Sequence, residues 1–201
     1  MIPAINIGVL ALQGDFERHL LHLRKLNVPS IEIRKPEQLD VIDGLIIPGG
    51  ESTTMAELID RFGFRDRLTS FFKDHAVWGT CAGAILLARH VDDTRVRPFG
   101  VIDIKAVRNG YGRQVHSFFE MVRLNLNGSA ATIGVSFIRA PMFENIGRGV
   151  EILARHDNQP VLLRQGRCLV SSFHSELHDN PLLTAYFIDH MVRPADVSID
   201  K

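Results

Sequence analysis

Only two cysteines occur in 201 residues, Cys81 and Cys168, and they lie far apart. Two such residues make no disulfide framework, and their separation makes no CxxC metal site. A reduced, cytoplasmic setting is the economical reading. An excess of one charge is missing too, because 23 Lys and Arg balance 23 Asp and Glu. Proteins that neutralise phosphates carry a basic surplus, so nucleic-acid binding is not expected. No apolar run approaches the ~18 residues of a membrane span. The opening MIPAINIGVL has neither the charged n-region nor the cleavage pattern of a signal peptide. Repeats, low-complexity tracts and linkers are also absent. What remains is ordinary: 45% hydrophobic and 23% charged residues, enough chain for one substantial α/β domain and too little for two.

The pattern along the chain supports that reading. Ile5–Leu12 is continuously apolar apart from Asn6, as a strand covered on both faces would be. Phe16–Leu26 has apolar residues at 16, 20, 23 and 26, a helical spacing that also carries His19 and His22. Packed or solvated roles are expected of those two histidines. SIEIRK (30–35) alternates like a strand, and VIDGLIIPGG (41–50) reads as another buried one. ESTTMAELIDRFG opens with helix-starting hydroxyls and a carboxylate, and a further helix spans about 64–73. A strand through Val77-Trp78 then runs into Cys81 and a helix. From about 99 onward, successive strands alternate with Gly, Asn and Pro turns until a closing helix near 181–191. The fold class predicted is α/β: an open, mostly parallel sheet flanked by helices, with extra antiparallel strands in the C-terminal half, all in one domain over 1–201.

Ligands in such sheets bind beyond the carboxyl ends of the strands. Three corners fall at such ends: LQGD (12–15), PGGES (48–52) and GTCAG (79–83). The glycines of GTCAG fit a tight strand-to-helix turn that presents Cys81, a nucleophile elbow with cysteine in place of serine. The following helix favours a thiolate through its dipole. The plainer alternative is a buried structural cysteine. A nucleophile also needs a base and an orienter. In SSFHSEL (171–177), His174 and Glu176 stand two apart, on one side of an extended segment. His178 lacks an acidic residue at the same offset and is the weaker candidate. An attacked carbonyl develops an oxyanion, and the glycines of PGGES offer backbone N–H groups for it. Phosphate binding at PGGES is disfavoured, since the Walker pattern is absent and no Lys follows. The elbow Cys81, the His174 and Glu176 pair and the Gly-Gly of PGGES together suggest acyl transfer through a thioester.

GTCAG followed much later by FHSE resembles the class I, triad-type glutamine amidotransferases. The wider set of IGVLALQGD, KPEQLDVIDGLIIPGGESTTM, GTCAGAILLA, VRNGYGRQVHSF, FIRAP and SFHSEL resembles, within them, the glutaminase subunits of pyridoxal 5′-phosphate synthase. These blocks span nearly the whole chain.

The resemblance implies that Cys81 attacks the side-chain amide of L-glutamine, that His174 moves protons and that Glu176 orients it. It implies an oxyanion hole from the amides of Gly50 and Ala82. Glutamine-binding positions would be Gly49, Gly50, Glu51, Arg108, Ile138 and Arg139, and Gln13 would be linked to activation on docking. It implies no metal and no organic cofactor, pyridoxal 5′-phosphate being a product of the complex. The partner implied is a synthase subunit that accepts the ammonia, in a large hetero-oligomer. A glutaminase for another acceptor, as in imidazole glycerol phosphate synthesis, and a non-catalytic interaction domain are the rival readings. A cysteine peptidase or esterase is a weaker one, which fold alone permits. Three departures stand out. Ser175 replaces the usual proline between His and Glu, Ala11 replaces a frequent glycine, and RNGYG varies a segment often written with Ser and Phe.

Overall fold

The computed structural model of the chain describes residues 5–110 and 117–193. The first half alternates strand and helix: β1 (Ile7–Leu10), α1 (Phe16–Lys25), β2 (Ser30–Ile33), β3 (Gly44–Ile47), α2 (Ser52–Arg61), α3 (Arg65–Asp74), β4 (Ala76–Thr80) and α4 (Ala82–Leu87). The second half is rich in strands: β5 (Ala88–Val91), β6 (Ile102–Val107), β7 (Phe118–Leu126), β8 (Ser129–Phe137), β9 (Met142–Glu144), β10 (Glu151–His156), β11 (Gln159–Gln165) and β12 (Cys168–Ser171). It closes with α5 (Leu182–Phe187), which widens into a π turn at Ile188–Val192.

Nine strands form one sheet in the order β2-β1-β3-β4-β12-β11-β10-β7-β8. The five from β2 to β12 run parallel, and the rest are antiparallel. The parallel sheet with antiparallel additions therefore matches the reading of the sequence. A separate three-stranded sheet, β5-β6-β9, was not expected from it. The strands β1, β3, β4 and β12 are buried throughout, because helices cover both faces. Alternate side chains enter two cores. Ile7, Val9, Ile46, Trp78 and Leu169 pack with Leu20 and Leu23 of α1 and Phe187 of α5. Leu10, Leu45, Ile47, Val77 and Val170 pack with Met55, Ile59 and Leu68 of α2 and α3 and with Leu86 of α4.

The antiparallel half is pinned by turn chemistry. Asn127 and Gly128 join β7 to β8 with φ of 52° and 83°, and Asp157 and Asn158 join β10 to β11 with φ of 46° and 64°. Positive φ at both central residues is the two-residue hairpin geometry that Asn, Asp and Gly favour. No described helix is long and apolar enough to cross a membrane.

The most consequential feature is the place of β12. It inserts beside β4 in parallel register, Ser171 opposite Thr80. The chain that leaves β12 therefore emerges next to the end of β4, where the cysteine stands.

Candidate active site

Cys81 joins β4 to α4 with φ 48° and ψ −102°, outside the regions an L-residue prefers. Its N–H donates to the carbonyl of Ser171 at 2.8 Å, and its own carbonyl accepts from Ile85 N–H at 3.2 Å. The glycines on either side allow this turn through close approach. A methyl on Gly79 would lie 2.6 Å from the Gly83 carbonyl carbon, and one on Gly83 would lie 2.1 Å from the Ile47 carbonyl oxygen. Eight non-glycine residues have positive φ among those described, and six of them are Asn or Asp, which tolerate it. The two that do not belong to that class are Cys81 and Arg139, and both line one cavity. Backbone strain of this kind costs about 1–3 kcal/mol per residue and clusters at functional sites.

Two backbone bonds hold His174 beside the thiol. Its N–H donates to the Ser136 carbonyl at 2.8 Å, and its carbonyl accepts from Ser136 N–H at 3.0 Å. The imidazole lies within hydrogen-bonding reach of the Cys81 side chain. On the far side Nδ1 meets Glu176 Oε1 at 2.6 Å. Glu176 sits in the turn after the bridge, so a turn and not a continued strand brings it under the imidazole. The paired bonds to Ser136 hold His174 without a proline at position 175 to stiffen the turn. His178 points elsewhere, with Nε2 3.0 Å from Ser136 Oγ.

Burial works against a charged His174, but the bonds to Cys81 and Glu176 and their negative charge prevail and push it up to about 10. Burial also opposes ionisation of Glu176; the donors beside it, His19 and the bonded His174, outweigh it and hold the carboxyl below the usual range. The raised value of His174 means that its pairing stabilises the fold fully below about pH 6.5, and that this contribution is lost as pH rises through about 10. Thermal stability is accordingly expected to fall between those two values. A His174→Asn variant, scanned over the same range by calorimetry, should show a flatter decline; an unchanged slope would refute the pairing.

The cavity in front of the thiol has a volume of about 360 Å³, a size that suits a small metabolite. Of the residues singled out in the sequence, Gln13, Gly49, Gly50, Glu51, Cys81, Arg108, Ile138, Arg139 and His174 all line it. Ala82 follows directly as the first residue of α4, where an N–H has no carbonyl partner within the helix. Glu176 is fully buried behind His174. The second part of RNGYGRQ, 111–114, lies outside the described residues. The LQGD corner grips the Gly-Gly loop: Gln13 Oε1 accepts from Glu51 N–H at 2.9 Å, and Asp15 N–H donates to the Gly49 carbonyl at 3.3 Å.

Arg108 spans the cavity wall. It donates to Glu51 Oε1 at 2.7 Å and to Asp93. Bonds from Arg95 hold the Asp93 carboxyl well below its usual range. Asp93 escaped the sequence reading, since nothing local marks an aspartate in a loop as the anchor of a distant arginine. His19 escaped it too, although its offset of three from Phe16 and four from Leu23 put it on the buried helix face. The second cysteine has a plain role: Cys168 is packed in the core beside Leu163 and Val170, and burial pushes its thiol up.

Residues 9–193 match the SNO glutamine amidotransferase family. The chain belongs to that family. Among relatives, the pyridoxal 5′-phosphate synthase subunit PdxT of Thermosipho africanus is 46% identical over 186 residues, covering 92% of this chain and 98% of its own. The protein of the same name from Staphylococcus haemolyticus is 46% identical over 189 residues, with 94% and 100% covered. A crystal structure of a glutamine amidotransferase superposes with a TM-score of 0.84 at 45% identity, covering 91% of this chain and 97% of its own. PurLQS from Thermotoga maritima, at 12% identity and a TM-score of 0.65, shares the fold, with 94% of this chain and 99% of that one covered.

Proposed function

We propose that residues 1–201 form one glutamine amidotransferase domain, the glutaminase subunit of a pyridoxal 5′-phosphate synthase. The observation that carries the reading is the alignment of strained Cys81, His174 and buried Glu176 behind a cavity edged by Gly-Gly and Arg108. The Cys81 thiolate adds to the side-chain carbonyl of L-glutamine. The N–H groups of Gly50 and Ala82 take the oxyanion, and His174 gives its proton to the departing ammonia. Water, deprotonated by His174, then cleaves the thioester to release glutamate. Arg108, steadied by Asp93, Glu51 and the Ile138-Arg139 turn hold the amino-acid end of the substrate. Thiol, imidazole and backbone supply every step, so the reading invokes neither metal nor organic cofactor. The reduced nucleophile suits the cytoplasm.

The names of the relatives support a synthase subunit as ammonia acceptor, in preference to imidazole glycerol phosphate synthesis. An intact triad argues against a non-catalytic role. The expected result is ammonia release from glutamine that rises at least about tenfold when the synthase subunit is added, since one misdirected oxyanion donor costs that much or more. The motivation is the Gly-Gly loop, whose donor depends on contacts from the LQGD corner. Ammonia measured with and without the synthase decides it, and equal rates would refute the dependence.

A further inference from the structure

The reaction above leaves one buried titratable group beside the triad unused. His19, on α1, is fully buried, its ring edge-on to Trp78 with centroids 5.3 Å apart. Nε2 lies 3.3 Å from Thr80 Oγ1 and 3.5 Å from Glu176 Oε1. That carboxylate oxygen is the one that receives the His174 Nδ1–H. Thr80 is the residue before the nucleophile. His19 thus touches the carboxylate end of the catalytic array and the residue next to the nucleophile, outside the lining of the cavity.

Its protonation follows from its surroundings. Burial lowers its affinity for a second proton, and the neighbouring charges of His174 and His22 add to that effect against the pull of Glu176 and Asp15. A neutral imidazole carries one proton. His19 Nδ1 has no hydrogen-bond partner among the described residues, and a buried donor with nothing to give to is more costly than a bond made. The proton therefore belongs on Nε2, where two oxygens face it. Glu176 Oε2 also has no hydrogen-bond partner among the described residues, so the donors around Oε1 matter the more to the buried carboxylate. A cationic donor at this place would draw Glu176 away from His174, whereas a neutral one does not compete for its charge.

We propose that His19 is a positioning residue for the reaction, its neutral Nε2–H, between Thr80 Oγ1 and Glu176 Oε1, holding the carboxylate where it orients His174. This rests on the reading of Cys81, His174 and Glu176 as the triad. In the complex with the synthase subunit, His19→Leu is expected to lower kcat for glutamine hydrolysis about tenfold and to leave KM within about twofold. Weaker support of Glu176 lets His174 lose its proton more easily, so the alkaline limb of the kcat profile should move to lower pH. His19→Gln, which carries an amide N–H to a similar point, should recover kcat to within about threefold of wild type. Nitrogen NMR of the wild-type chain adds a readout that needs no variant: His19 should be the neutral Nε2–H tautomer at neutral pH. An Nδ1–H tautomer, an imidazolium, a Leu variant with unchanged kcat and pH profile, or a Gln variant as impaired as Leu would each overturn the proposal alone. A wild-type complex that releases no ammonia would overturn the triad reading and this proposal with it.

Discussion

Cys81→Ala is expected to abolish glutamine hydrolysis, by about ten-thousandfold or more, because removing one member of a nucleophilic triad costs nearly as much as removing all of it. No other described side chain replaces the sulfur: Sγ stands between the imidazole of His174 and the Ile138 carbonyl, 3.8 Å away. Folding should survive. The backbone turn is held by the bonds to Ser171 and Ile85, and exchanging a small buried thiol for a methyl costs about 1 kcal/mol. Cys168→Ala supplies the contrast, with a similar small loss of stability and turnover close to wild type, since that thiol only fills the core. Ammonia release measured beside thermal denaturation separates the two. Retained hydrolysis in Cys81→Ala would remove the nucleophile from the mechanism.

Gly83→Ala is expected to cripple both stability and turnover. The added methyl would lie 2.1 Å from the Ile47 carbonyl oxygen and 3.1 Å from Ile47 Cβ. Neither atom is the free end of a flexible chain, so α4 must shift away from β3. Overpacking of this kind costs about 1–3 kcal/mol and sometimes more, and the shift would carry the Ala82 N–H off its target. Gly149→Ala is the matched control, where a methyl would meet only the tip of Gln165, at 3.3 Å. It should change stability by less than about 0.5 kcal/mol, as surface substitutions do. Denaturant midpoints of the two variants test the difference. A Gly83→Ala chain as stable and active as the control would mean that the elbow does not need its close contact with β3.

Much of this architecture was legible in the residues. The buried runs of β1 and β3, the helical spacing of α1 and the hydroxyl-rich start of α2 are local signals, and local signals survive folding. So did the corner at Cys81, because glycines on both sides of a cysteine restrict the backbone that can pass there. Strand order was another matter. Nothing near Cys168–Ser171 announces a neighbour about 90 residues earlier in the chain, and pairing at that distance is decided by the whole core. The small sheet of β5, β6 and β9 was missed because short strands carry little periodicity. Glu176 was found by the spacing rule for strands, yet it reaches His174 from a turn. His19 shows the opposite failure: its place on the first helix left packed and solvated roles open, and only the register of β4 and the turn beyond β12 reveal what it faces.

The insertion of β12 also bears on how the molecule is made. A nascent chain emerges at roughly 5–20 residues per second, so the edge of β4 waits about 5–20 seconds for the strand that will lie against it. Until Ser171 is synthesised, Cys81 lacks the carbonyl that anchors its amide, and until His174 follows it lacks the imidazole at its side. Under the proposed mechanism, the thiol is thus left without the imidazole that would activate it throughout translation of the antiparallel half. On that reading its reactivity would be switched on only once the last strand in the chain order, and His174 just beyond it, close the gap.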